Sequence, residues 1–84
     1  MSDIHTFTKN IRVKDKELAL SDKEVLKSLE EVEKLIAGKG RALLRKSGTE
    51  PVIRIMIESE TEEKCHKYAE MIAKTVIDGG HKVD

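Results

Sequence analysis

Apolar and polar positions along the chain fall into five patterned stretches. From 52 to 58 the alternation is strict: Ile53, Ile55 and Ile57 share one side, and Val52, Arg54, Met56 and Glu58 share the other. That pattern predicts a strand with one buried and one partly covered face. Thr6 to Val13, with Phe7, Ile11 and Val13 among polar partners, predicts a first strand with Ile11 and Val13 on one face. Arg41 to Arg45 predicts a further strand, entered through the tight connection Gly38-Lys39-Gly40. Two stretches carry helical spacing instead. Val25, Leu26, Leu29, Val32, Leu35 and Ile36 recur at intervals of three and four, Ser21-Asp22-Lys23-Glu24 reads as a capping box ahead of them, and Gly38 stops them. Cys65, Tyr68, Ala69, Ile72, Ala73, Val76 and Ile77 form a second stripe, with Thr61 as N-cap, Glu62 and Glu63 in the first turn and Gly79-Gly80 at the end.

The remaining segments are less patterned. Lys14 to Glu17 reads as a charged connection, and Leu18-Ala19-Leu20 fits either a turn of helix or a packed loop. His81 to Asp84 either adds a short edge strand or frays. The order is strand, helix, strand, strand, helix, with a possible last strand. Two amphipathic helices must cover one face of a small, mainly antiparallel sheet, so the predicted class is a two-layer α+β domain spanning 1–84.

Composition narrows the picture. Eighty-four residues support one small core, and with one Tyr, one Phe and no Trp that core must be aliphatic. Sixteen basic residues balance 16 acidic ones, so no global charge draws the chain to nucleic acid or an anionic membrane. Charge is uneven locally: Lys39, Arg41, Arg45, Lys46 and Arg54 face Glu50 alone between positions 39 and 54. The single cysteine rules out an internal disulfide and fits a reducing compartment. No apolar run approaches membrane-spanning length, and Met1-Ser2-Asp3-Ile4-His5 lacks the features of a signal peptide, so a cytoplasmic protein is expected. Cys65 and His66 are adjacent and point about 100° apart on a helix, and the three histidines show no ligand spacing, so zinc is not expected. Cys65, on the apolar stripe, reads as a core residue.

The candidate chemistry lies in Arg45-Lys46-Ser47-Gly48-Thr49-Glu50-Pro51-Val52-Ile53-Arg54. A phosphate dianion needs converging N–H and O–H donors and fixed positive charge. Ser47 and Thr49 supply hydroxyls, Gly48 admits backbone angles closed to other residues, and Arg45 and Arg54 supply planar forks. Pro51 helps to end the loop. Glu50 is expected to point away from a bound anion, toward a neighbouring Arg or Lys. Spacing alone weighs an anion site evenly against a plain hairpin turn. A Walker-type loop is excluded, because no Gly-Lys-Ser/Thr run is present and a strand follows. Ser47 has no histidine near it in sequence and reads as a hydrogen-bond donor, not a nucleophile.

The pattern Arg-x-Ser-Gly-Thr-Glu-Pro-x-x-Arg at Arg45 to Arg54, continued by Ile55-Met56-Ile57-Glu58, resembles the C-terminal domain of the α-D-phosphohexomutase superfamily. The Glu50-Pro51 continuation and the upstream stretch Asn10-Ile11-Arg12-Val13-Lys14-Asp15-Lys16 resemble its phosphoglucosamine mutase branch. The resemblance runs from about Phe7 to the end of the second helix. It implies an isomerase that interconverts glucosamine 6-phosphate and glucosamine 1-phosphate for amino-sugar nucleotide and cell-wall precursor synthesis. In that family other domains carry a phosphorylated serine, a Mg²⁺ site and the sugar-reading loop, while the last domain holds the substrate phosphate that is not being transferred. Carried over by position, Arg45, Ser47, Gly48, Thr49 and Arg54 are the implied phosphate contacts, with Arg54 less directly supported than Arg45 and Lys46 in the variable position. No catalytic residue, metal ligand or cofactor site is implied within these residues. The implied partners are a sugar phosphate and the remaining mutase domains, with no nucleic acid and no membrane, and the fragment alone is expected to bind without catalysing. The short N-terminal segment reads as linker-like, and the family implies a hinge near the first strand.

Two other readings compete: the same domain from a phosphoglucomutase or phosphomannomutase, and a small module binding RNA or another polyanion through the Lys39 to Arg54 patch. The latter is short of aromatics for base stacking, with only Phe7 and Tyr68 to offer. A pure protein-interaction domain would take no ligand at the loop.

Overall fold

The computed structural model describes residues 4–36 and 38–83. The elements run β1 (His5–Arg12), α1 (Lys16–Ser21), α2 (Lys23–Ile36), β2 (Arg41–Lys46), β3 (Val52–Ser59) and α3 (Glu62–Asp78). The three strands form one sheet in the order β1-β3-β2, with both pairings antiparallel. The alternating strand is thus central. Ile53, Ile55 and Ile57 are fully buried on one face, in one core cluster with Val25 and Val32 of α2 and Cys65, Ala69, Ile72 and Val76 of α3. Ile11 and Val13 are buried together as their alternation predicts. The other face of the sheet carries only half-buried or exposed side chains along β3: Val52, Arg54, Met56 and Glu58.

The expected α+β class therefore holds, with one added element. Lys14 to Glu17 is not a plain connection. Asp15 caps a short helix by accepting hydrogen bonds from the N–H groups of Glu17 and Leu18 at 2.9 and 3.3 Å. Leu18-Ala19-Leu20 is accordingly helical, with Ala19 buried and Leu18 exposed. The capping box at Ser21 does not form. Ser21 is the last residue of α1 and its hydroxyl donates back to the Leu18 carbonyl, whereas Asp22, in an extended conformation, accepts from the Glu24 N–H at 2.8 Å and starts α2. Asp22 is also held 2.6 Å from His81 Nε2, a contact that fixes the break between the helices at that residue.

The predicted stripes are narrower than their sequences suggest. Val25, Leu29, Val32 and Ile36 face the core, but Leu26, Leu35 and Ile77 are about half exposed. Each lies one residue from a core position and so turns about 100° off the packed line. Thr61 caps α3 as expected, accepting from the Lys64 N–H at 3.2 Å. Gly38, at φ 81°, follows α2, and Gly79-Gly80 closes α3. The C-terminal segment makes one antiparallel bridge, Val13 to Lys82, supported by Lys14 N–H to His81 O (2.9 Å) and Val83 N–H to Arg12 O (2.9 Å). Asp84 lies outside the described residues, as do Met1 to Asp3.

Candidate functional site: the loop between β2 and β3

The loop 47–51 leaves β2 after Lys46 and returns at Val52. Its mouth is closed by the Ser47 N–H donating to the Val52 carbonyl at 2.8 Å, and its far side by a tight turn over Pro51, Val52 N–H to Glu50 O at 2.8 Å. Two further bonds come from segments distant in sequence. The Val13 N–H donates to the Pro51 carbonyl at 2.7 Å, and Lys16 Nζ donates to the Ser47 carbonyl at 2.9 Å. The loop is thus pinned at both ends by the strand-to-helix segment that follows β1.

Between the pins its donors are free. Among the described residues, the N–H groups of Gly48, Thr49 and Glu50 and the hydroxyls of Ser47 and Thr49 make no hydrogen bond. Gly48, Thr49 and Glu50 are exposed and Ser47 is half-buried. Gly48 does not use the freedom expected of it: its φ lies outside the left-handed region, and a Cβ placed there would meet nothing within 4 Å. Its small size leaves open space beside the free amides. Glu50 makes no ion pair among the described residues, so the expected partner for its carboxylate is not found.

Charge reinforces the donors. The register places Arg45 directly opposite Arg54 across β2 and β3, on the open face of the sheet. Neither forms an ion pair among the described residues. Lys46 alternates to the helix-covered face, where it meets Glu17 at 2.6 Å. The structure therefore brings Arg45, Ser47, Gly48, Thr49 and Arg54 to one end of the domain. Spacing could not have revealed Lys16, because 31 residues separate it from the carbonyl that it holds.

A concavity of about 650 Å³ lies at the other end of the sheet, beside Gly40, Arg41 and Glu58. Its charges are already paired, Arg41 to Glu58 at 3.1 Å and Lys39 to Glu60 at 3.5 Å, so it offers little to an anion. The loop is an exposed wall, suited to one side of a cleft. Elsewhere, the buried Cys65 thiol donates to the His5 carbonyl at 3.2 Å, and burial raises its pKa, as befits an inert core thiol. Phe7 stacks on His66 with ring centroids 4.0 Å apart, and Tyr68 is buried. Among the described residues no group of three or more His, Cys, Asp or Glu could hold a metal ion, and no helix is long and apolar enough to cross a membrane.

Comparison with known proteins identifies the family of the chain. The family described as phosphoglucomutase/phosphomannomutase, C-terminal domain, matches residues 9–75. A phosphoglucosamine mutase of Geobacillus kaustophilus is 52% identical over 67 residues, covering 80% of this chain and 15% of that protein. The corresponding protein of Oceanobacillus iheyensis is 46% identical over 68 residues, again 15% of its length. The chain thus spans about a seventh of these relatives. The fold is similar to that of part of Aspergillus fumigatus N-acetylphosphoglucosamine mutase. Its complex with glucose 1,6-bisphosphate aligns at a TM-score of 0.78 and 20% identity, over 94% of this chain and 16% of that one. Its complex with GlcNAc-6P and magnesium aligns at 0.78 and 21%, over 93% and 16%.

Proposed function

Because the chain belongs to the phosphoglucomutase/phosphomannomutase C-terminal domain family, we propose that its 47–51 loop holds the substrate phosphate of a phosphoglucosamine mutase. The observation that carries this reading is that, among the described residues, three free amides, two free hydroxyls and the opposed pair Arg45 and Arg54, neither in an ion pair, lie at one end of the domain. Arg45, Ser47, Gly48, Thr49 and Arg54 are the proposed contacts. Such a clamp reads the phosphate and ignores which carbon bears it. That suits an interconversion of glucosamine 6-phosphate and glucosamine 1-phosphate, in which the same loop must grip two substrate orientations. The curated relatives support this substrate over those of other phosphohexomutases, since they are called phosphoglucosamine mutases.

Phosphoryl transfer is assigned to the other domains of the complete enzyme, and so is Mg²⁺, for which the described residues here form no fitting cluster. The chain alone binds and does not catalyse. Cytoplasmic work, in a complete protein with its other domains around the substrate, belongs to the same proposal, and a single buried thiol suits it. A polyanion module is the weaker alternative, because Phe7 is stacked on His66 and Tyr68 is buried, leaving no free ring for a base.

An amide NMR titration of the chain with glucosamine 6-phosphate, inorganic phosphate and a short RNA tests the reading. Affinity near millimolar, about 4 kcal/mol, is enough to observe. Shifts of the Ser47, Gly48 and Thr49 amides with both phosphates are expected. A response to RNA alone, or a silent loop, overturns the phosphate clamp.

A further inference from the structure

The open face of the sheet is electrostatically divided. At the end remote from the loop, Arg41 stands opposite Glu58 in the register and pairs with it at 3.1 Å. At the loop end, one row across the three strands reads Asn10, Arg54, Arg45, and the next reads Arg12, Val52, with Ser47 joined to Val52 by the bond that closes the loop. Arg12, Arg45 and Arg54 all belong to the same open face, and among the described residues none of the three forms an ion pair. Side chains directly opposite on a sheet have Cβ atoms about 5 Å apart and diagonal neighbours about 7–8 Å, so all three guanidinium groups can converge on one ligand. Like charges set opposite each other cost stability. Here no acid on neighbouring strand positions relieves them, since the nearest are Asn10, Val52, Thr8, Met56 and Leu43.

The geometry points to Arg12 as a third arginine of the anion site, contacting the phosphoryl oxygens from the β1 side while the loop amides approach from the other. Its backbone is fixed on both edges, by the pairing with Val52 and by the Val83 N–H donating to its carbonyl, so the long side chain swings from a rigid base. The half-buried Val52 lies between Arg12 and the loop and adds no charge to screen it. This assignment rests on the phosphate reading of the loop and adds a contact from a strand 33 positions before the nearest motif arginine, Arg45.

The test is a phosphate titration of the chain followed through the Gly48 and Thr49 amides, in the parent, Arg12→Gln, Arg12→Lys and Arg41→Gln. Arg12 is exposed, so its substitution is expected to leave the fold intact, which amide dispersion checks. Loss of one charge-assisted contact is expected to raise the Kd for inorganic phosphate about tenfold in Arg12→Gln. Arg12→Lys should fall between Arg12→Gln and the parent, and Arg41→Gln should match the parent. If the parent binds at the loop and Arg12→Gln binds equally well, the Arg12 assignment is overturned while the clamp stands. If Arg41→Gln weakens binding as much as Arg12→Gln, the effect is general electrostatics and the assignment fails as well. A parent whose loop amides ignore phosphate overturns the clamp and this contact together.

Discussion

Gly48 is a glycine with no backbone reason to be one. Its φ is not left-handed and its missing Cβ faces open space, so the residue is small for the sake of what approaches it. Gly48→Ala should therefore keep the melting temperature or raise stability by about 0.4–1 kcal/mol, because it narrows the unfolded ensemble. The same change should weaken phosphate binding, seen by titration. Gly40 makes the contrast: a Cβ there would lie 2.0 Å from the Glu58 carbonyl oxygen, a backbone atom that cannot step aside. Gly40→Ala should cost about 3 kcal/mol, read from denaturant unfolding, and leave the loop chemistry untouched. Asp22 supplies a pH dependence. The hydrogen bond with His81, and then that from the Glu24 N–H, hold its carboxyl below the ordinary 3.8. A carboxylate depressed by folding contributes stability above its unfolded value and loses it as pH falls through the folded one. Between about pH 5 and pH 2 the parent should thus lose more thermal stability than Asp22→Asn, which keeps an acceptor for the cap. Equal losses in the two proteins would assign the acid sensitivity elsewhere.

At the scale of elements, the strands and α3 were legible because one signal sufficed for each. Strict alternation fixed β3, and Thr61 followed by two acids fixed the start of α3. The start of α2 was misplaced by one residue because Ser21 and Asp22 are both good caps, and the choice between them is made by His81, 59 residues away. The short α1 hid for a similar reason: its first turn is charged and only Ala19 is fully buried. What sequence could not show is the use of that helix. Its first residue, Lys16, holds the Ser47 carbonyl, and its second, Glu17, holds Lys46. Lys16→Met should leave the sheet and helices intact by circular dichroism, yet broaden the Gly48 and Thr49 amide signals and weaken phosphate binding several-fold. Unchanged loop signals would mean that the hairpin bonds alone, with the Val13 pin, set the loop.

The whole molecule has no net charge, with 16 cations against 16 anions, so any anion it holds must be drawn by local arrangement. Three arginines without an ion pair among the described residues gather at one end of the open face, while Lys9, Lys39 and Arg41 are paired with Glu70, Glu60 and Glu58. Beyond a Debye length, about 10 Å at 0.1 M salt, the excess fades into the neutral remainder. A small ligand seated within that distance feels the cluster, whereas a long polyanion would have to run past Glu58, Glu60 and Glu50 without a free aromatic to stack on. Phosphate affinity should accordingly fall only a few-fold between about 50 and 200 mM salt, and short RNA should not displace it. Tight RNA binding that collapses by about a thousandfold over the same range would instead mark the surface as a polyanion track. With gentle salt dependence established, adding glucosamine 6-phosphate to the chain alone should give binding and no glucosamine 1-phosphate, detected by ³¹P NMR. Product formed by these 84 residues would require a phosphoryl donor and acceptor among them that the clamp reading does not contain.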